Sequence, residues 1–275
     1  MKLNKVLIAG PWVGEFGWEL LAWQGYIRSL SRNFDKTIII CARSSKGIYL
    51  DFADEFLFFS EVTGPKDSYF MHGLNMQKSF KDTIDKAKLL LNKSTTLLLP
   101  RRIGMPPTTH WTEEISFGKY KVKPEYIRFG RDNDTEYDIL FHIRNRKEIR
   151  PEDNWSIDNW NVLKEKFKDK KIACIGTTSS SGWIEGTDDL RNIPLGDLFD
   201  IMRNSHAVFG PSSGPMHLSS LCGCPHVVWS YSGNKTRYEE NWNPLNTRVL
   251  FLDEYGWHPS PEYVYKEYIK WSSDE

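Results

Sequence analysis

Three short segments hold the residues whose types and spacing point to chemistry. In the first, Ala207-Val-Phe-Gly-Pro-Ser-Ser-Gly-Pro-Met-His217, an apolar strand pattern runs through a glycine-serine turn into a short helix. Ser212, Ser213 and Gly214 fall at the helix start, where unpaired N–H groups and the positive dipole end favour a phosphate or pyrophosphate. The plainer alternative is that Ser213 caps the helix and Gly214 eases the turn. In the second segment, Asp138–Arg146, period-two alternation places His142, Arg144 and Arg146 on one strand face, with both arginines near the carboxyl end. Guanidinium forks there suit a diphosphate leaving group. The alternative is a solvated strand end, with Arg146, Lys147 and Arg150 paired to Glu148, Glu152 and Asp153. The third segment, Gly10-Pro-Trp-Val-Gly-Glu-Phe-Gly-Trp-Glu19, is a glycine-punctuated loop entering a helix. Among Trp12, Phe16 and Trp18, partial desolvation favours a basic carboxylate, Glu15 first and Glu19 as the alternative base. Glu15 could instead be a helix-start carboxylate favoured by the dipole, and Glu19 an exposed polar residue.

The elements that must position these segments follow from hydrophobic patterning. Short β-rich runs at Lys5–Ala9, Thr37–Cys41, Thr96–Leu99, Ile139–Ile143, Lys171–Ile175, Ala207–Phe209, His226–Trp229 and Arg248–Leu252 alternate with helix-like stretches. That is the βα alternation of parallel sheets covered on both faces. Glu19–Leu30 reads as an amphipathic helix, with Leu20, Trp23, Ile27 and Leu30 three and four apart; Ile157–Phe167 and Leu195–Arg203 read likewise. Gly182–Leu190 and Pro106–Tyr126 have no clear period. The polar stretch Gly130–Glu136 marks a boundary. The expected organisation is α/β, two Rossmann-like domains over residues 1–132 and 133–275 facing a ligand-binding cleft. One continuous doubly wound sheet is the competing architecture.

The turn Gly210-Pro-Ser-Ser-Gly-Pro-Met-His217, with Gly223-Cys-Pro225, Gly233-Asn-Lys-Thr236 and Asn243-Pro244 downstream, resembles the heptosyltransferase-like family of glycosyltransferases. That family carries G-x-D-[ST]-G-x-x-H in the donor domain of a GT-B fold. The resemblance implies a nucleotide-sugar donor held in the second domain by Ser212, Ser213, Gly214 and His217. Ser212 stands where the family has an acid, so that acid's role does not transfer. His142-Ile-Arg144 also looks like the H-x-R element of fucosyltransferase-like enzymes, where the arginine meets nucleotide phosphates. Gly14-Glu15 matches the family's G-D pair, which implies that Glu15 takes the acceptor's proton in the amino-terminal domain. Arg144, Arg146 and the turn would then stabilise the departing diphosphate.

Composition trims the alternatives. Thirty-six Lys+Arg balance 36 Asp+Glu, so no net field recruits nucleic acid or an anionic membrane. No apolar run is long enough to span a bilayer. Four cysteines suggest packing thiols and, with no export signal, a cytoplasmic protein. Cys222-Gly-Cys224-Pro-His226 lacks paired zinc spacing. Asp132-Asn-Asp134 has a metal-binding D-x-D form but reads as a turn, so no metal and no cofactor beyond the nucleotide-sugar substrate is expected. Hydrolase and metalloprotease signatures are absent. The partners expected are a nucleotide-sugar donor and a saccharide acceptor. The alternatives are a hydroxymethylated base in DNA, approached through the basic stretch Lys119–Arg131, and a binding module without catalysis.

Overall fold

The structure is a computed structural model describing residues 5–12, 14–59, 81–100, 112–134, 137–148 and 150–273. It divides into two compact units, Met1–Tyr126 and Ile127–Glu275. Each has its own parallel sheet, which excludes a single continuous sheet.

In the first unit, β1 (Val6–Ala9), β2 (Lys36–Cys41), β3 (Glu55–Phe58) and β4 (Thr95–Leu98) lie in the order β3-β2-β1-β4. All are parallel. The buried Ile8, Ile38 and Ile40 form one face of this sheet, with Ala87 of α2 (Lys81–Leu89) packed against them. The expected amphipathic helix is three segments in succession: an α-helical turn over Phe16–Trp18, a π-helical stretch over Glu19–Gln24, and α1 over Gly25–Ser31. Every residue of Glu19–Gln24 is buried. The segment is therefore interior on all sides, and its period of three and four reflects only part of its packing.

A short antiparallel hairpin, β5 (Ile115–Phe117) and β6 (Tyr120–Val122), lies within Pro106–Tyr126, whose residues 106–111 are outside the described set.

The second unit holds β7 (Ile139–Phe141), β8 (Ile172–Cys174), β9 (Asp188–Asp189), β10 (Ala207–Pro211), β11 (His226–Trp229) and β12 (Val249–Leu252). Their order is β12-β11-β10-β7-β8-β9. Its helices are α3 (Ile157–Lys166), α4 (Leu195–Arg203), α5 (Gly214–Cys222) and α6 (Pro261–Ser272). Ser156 caps α3 and Ser260 caps α6 through their side chains. Under the sheet, Trp155, Trp160 and Trp229 pack ring to ring at 4.9 to 5.4 Å, each pair contributing about 1 kcal/mol beyond area burial.

The polar stretch after Tyr126 packs on the second unit. Phe129 stacks on Phe199 at 4.7 Å and donates its backbone N–H to Leu221. Arg131 pairs with Asp200 and Asp132 with Arg203. Thr135 and Glu136 lie outside the described residues.

Both sheets have a point where the strand order reverses, and open α/β sheets bind ligands there, beyond the carboxyl ends of the strands. In the first unit, β1, β2 and β3 run to one side, and β4 returns to the other side of β1. In the second, β7, β8 and β9 run to one side, and β10, β11 and β12 to the other. The reversal points therefore lie between β1 and β4 and between β7 and β10. The loop Gly10–Glu19 follows β1. The Arg144 loop follows β7, and the Ser212 turn follows β10.

Candidate functional site

At the β10 reversal point the backbone of Ser212 still continues the β10–β11 ladder, donating its N–H to Trp229 O at 3.0 Å. Ser213 then swings into extended geometry as the residue before α5. It does not cap the helix. The N–H of Ser213 donates to the Tyr238 hydroxyl at 2.9 Å, and that hydroxyl donates to Ser212 Oγ at 3.1 Å. Ser213 Oγ is buried without a hydrogen-bond partner. Pro215 leaves the second helical residue without an N–H. The helix ends at Gly223, in left-handed conformation with φ of 74°, as a helix-stopping glycine requires.

His217 sits one turn into α5, 4% exposed. Its ring stacks on Tyr238 at 4.1 Å and meets the edge of Trp242 at 4.8 Å, and its Nδ1 has no partner. Burial, with Arg237 and His226 nearby, holds it well below the usual histidine range, so it is neutral. A buried orphan hydroxyl and a buried orphan ring nitrogen on one helix start are uncommon, since buried polar groups nearly always find partners.

The β7 side departs from the expected alternation. The strand ends at Phe141, and the chain turns instead of carrying His142, Arg144 and Arg146 along one face. Arg144 forms an isolated bridge with Ser181 and is 2% exposed. Its guanidinium donates to Arg150 O at 2.9 Å and Asn154 Oδ1 at 2.7 Å, with Asp153 Oδ2 at 3.9 Å. Arg146 is half-buried. The Asn154 amide accepts the Arg146 N–H at 3.1 Å and donates to the Arg146 carbonyl at 2.7 Å. Of the pairings considered for a solvated strand end, Arg150 with Asp153 is present at 3.6 Å. His142 is buried and its acidity is displaced to about 4, chiefly by desolvation, with the Arg146 and Arg144 charges adding to it. Beside this loop lies a cleft of about 370 Å³, lined by Arg144, Lys147, Thr178, Ser179, Ser181 and Arg191 among others.

In the first unit, Gly10 has φ of +109°, and a Cβ there would lie 2.2 Å from Ile40 O. Only glycine fits that exit from β1. Glu15 precedes the first helical turn and is half-buried; its carbonyl accepts from Trp18 N, Glu19 N and Trp12 Nε1. Val13 lies outside the described residues. Glu19 is different, being 5% exposed. Its carboxylate accepts from Ser45 Oγ at 3.0 Å and from the Tyr49 hydroxyl at 2.7 Å. Burial, then the Glu19 charge, pushes the Tyr49 phenol upward and the Cys41 thiol to about 12.

The remaining candidates have structural partners. All four cysteines are buried, and His226 bonds Cys224 O at 3.0 Å and Ser220 Oγ at 3.3 Å. Asp132 receives two bonds from Arg203. Among the described residues, no group of three His, Cys, Asp or Glu side chains is placed to hold a metal. The basic stretch Lys119–Arg131 divides between the two units, with Lys119 over Tyr120 at 5.3 Å and Arg131 tied to Asp200. No helix among the described residues is long and apolar enough to cross a membrane.

Sequence reasoning missed Asn154 and Tyr238. Asn154 follows Pro151-Glu-Asp153 just ahead of the Ser156 cap, a cluster of turn and cap residues that marks a loop without saying what it grips. Tyr238 carried no period at all.

This architecture is α/β, two parallel-sheet units of the GT-B type. No family model matches the sequence, and no curated protein matches it. Solved structures do match. A glycosyl transferase family 9 protein from Veillonella parvula aligns over 100% of this chain and 99% of its own, with TM-score 0.60 and 13% identity. The ADP-heptose LPS heptosyltransferase II of E. coli covers 97% and 98%, at TM-score 0.56 and 11% identity. The E. coli heptosyltransferase WaaC with ADP covers 97% and 99%, at TM-score 0.55 and 11% identity. At these identities the likeness is one of fold.

Proposed function

We propose that this chain is a glycosyltransferase that moves a sugar from a nucleotide-sugar donor to a hydroxyl of a saccharide acceptor, with inversion and without a metal. The second unit binds the donor. Its diphosphate meets the start of α5, with Ser212, Ser213, Gly214 and His217 as donor-binding residues, and the nucleoside extends toward the cleft beside the Arg144 loop. Arg146 faces the phosphates, while Arg144 supplies fixed positive charge from beneath the same loop. As the acceptor oxygen attacks the anomeric carbon, Glu15 takes its proton, and the bond to the diphosphate breaks with its electrons. Fixed cations and amides stabilise the charge that develops on the leaving group.

The observation that carries this reading is the orphaned Ser213 hydroxyl at an uncapped helix start beyond β10, beside the strand-order reversal. Such a place is suited to an anion that completes the missing bond. Retention of the D-x-D aspartate by Arg203 supports the metal-free reading, and the placement of the reversal points supports division of labour between the units. Incubation with a panel of nucleotide-sugars tests it, following release of free nucleoside diphosphate in EDTA. Release with at least one donor, undiminished by EDTA, is the expected result. Release that stops in EDTA and returns with manganese or magnesium would remove metal independence. Titration with plain and hydroxymethylated duplexes at two salt concentrations tests the acceptor class. Tight binding that collapses with salt moves it to DNA.

A further inference from the structure

Among the segments that follow β7, β11 and β12 lies an aromatic corner that the phosphate reading does not use. Trp257 lies 6.3 Å from the ring of Tyr231, with their planes inclined by 46°. The guanidinium carbons of Arg144 and Arg150 lie 5.7 and 5.9 Å from the centre of its ring. Tyr231 follows β11 and Arg144 follows β7, and β10 runs between those two strands in the sheet. Trp257 therefore meets side chains that leave the carboxyl ends of the strands on either side of β10.

The corner is held firmly. The Gly256 N–H donates to Asp253 O at 3.2 Å and the His258 N–H to Tyr255 O at 3.1 Å, which closes a tight turn around Trp257. Pro259 O accepts from the buried Trp155 Nε1 at 2.8 Å. Tyr231 nevertheless remains 51% exposed and Trp257 only half-buried. At the turn's first residue, Asp253 lies 3.9 Å from the Lys235 ammonium, which gives the corner a polar rim. Large aromatic faces fixed in position, left wet and bordered by hydrogen-bonding groups match a ligand with an apolar C–H face and a hydroxylated edge. The inclination argues against a flat base clamped between the rings, because a clamp needs two nearly parallel faces. A puckered pyranose offers C–H groups in more than one direction and its hydroxyls to the rim.

We infer that Trp257 and Tyr231 form a subsite for a pyranose ring. The inference rests on the glycosyl-transfer reading only for which substrate, donor or acceptor, carries that ring. No bond is made or broken there; the corner holds one sugar beside the phosphate turn.

Saturation-transfer NMR on the whole chain, with methyl pyranosides of glucose, galactose, mannose and N-acetylglucosamine, tests the subsite without any nucleotide. At least one pyranoside should receive saturation on its ring C–H protons. The signal should fall severalfold in Trp257→Ala and in Tyr231→Ala, and persist in Trp257→Phe, which keeps an aromatic face should the alanine variant fold poorly. Equal saturation in wild type and a folded Trp257→Ala, or no saturation of any pyranoside, overturns the inference.

Calorimetric titration with nucleoside diphosphates and their nucleotide-sugars identifies the source of the ring. Loss of about three- to tenfold in nucleotide-sugar affinity in Trp257→Ala, with the diphosphate unchanged, assigns the donor's sugar. Unchanged nucleotide-sugar affinity with loss of the pyranoside signal assigns the acceptor's sugar. An equal loss for the bare diphosphate means that the corner stacks a base, and the pyranose assignment fails. If no nucleotide binds while the pyranoside signal still depends on Trp257, the donor reading fails and the subsite stands.

Discussion

The two strand-order reversals solve the same geometric problem with opposite electrostatics. After β1 the loop Gly10–Glu19 brings two carboxylates to a helix start, one half-buried and one sealed beneath Ser45 and Tyr49. After β10 the turn brings no carboxylate at all. It presents two serines, a glycine and a neutral histidine, with a hydroxyl and a ring nitrogen left unpaired. Helix starts attract negative charge. The first unit places a carboxylate of its own, Glu15, just before that start without a side-chain cap bond, whereas the second places none, as suits a place for an anionic ligand. The contrast teaches that a strand-to-helix turn can serve an acid–base role or an anion-binding role according to whether the protein provides the negative charge itself.

The sharpest test of this contrast is at the carboxylates. Glu15→Gln should lower transfer by roughly 100- to 10,000-fold while leaving nucleoside diphosphate affinity within a fewfold, because a general base acts on the acceptor. Glu19→Gln should act differently, costing about 1 to 3 kcal/mol of stability by disturbing the bonds from Ser45 and Tyr49. Initial rates and urea midpoints on both variants check this. A folded, inactive Glu19→Gln beside a fully active Glu15→Gln would exchange their roles.

Acid should discriminate between the units. His142 and His226 titrate near 4 in the fold, both chiefly because burial disfavours the charged ring, against about 6.5 unfolded. Between those values the unfolded chain binds more protons, so stability falls as pH drops from about 6.5 to 4 and is fully present above that window. Each ring contributes about 3 kcal/mol. Both lie in the second unit, and no histidine occurs among the described residues of the first. Tryptophan fluorescence and hydrogen exchange across pH 4 to 7 should therefore show the second unit loosening first. Simultaneous loosening of both units would count against the difference.

At the arginines, Arg144→Ala should destabilise the fold by about 3 kcal/mol, because it removes a buried charge that Arg150 O and Asn154 have been built to receive. Arg146→Ala, at a half-buried side chain, should cost less stability than Arg144→Ala and weaken diphosphate binding. Equal losses of stability would show that the loop has no division between a buried anchor and a ligand-facing cation.

The smallest effect is expected at Ser213→Ala. Its hydroxyl makes no bond in the folded chain, so removal should leave stability equal or slightly higher while diphosphate affinity falls about tenfold or less. Unchanged affinity by calorimetry would return Ser213 to a merely spatial role.

Eight strand positions and the turn at Ser212–Gly214 were legible in the sequence, because apolar period and turn chemistry act over a few residues and leave a local record, whereas β3, β5, β6 and β9 were not read. The division into two parallel-sheet units followed from the same signals. What alternation misjudged was the stretch beyond Phe141, where His142, Arg144 and Arg146 read as one face of a strand. A local period cannot register that Asn154 grips the Arg146 backbone in both directions and helps hold the Arg144 guanidinium inside.

Tertiary structure alone set the environments of the two acids apart. Glu15 and Glu19 are close in sequence and chemically alike, yet only Glu19 meets Ser45 and Tyr49, which arrive from the segment after β2. The same holds for the serine turn, where the alternative that Ser213 caps the helix fails and its N–H meets a hydroxyl from Tyr238, well downstream in the chain. Residue type and spacing thus set which groups could do chemistry and where the backbone would turn. Which of them became buried anchors and which kept an unsatisfied valence depended on partners that meet only when distant segments pack, since the cost of an unpaired polar group exists only once water has been excluded.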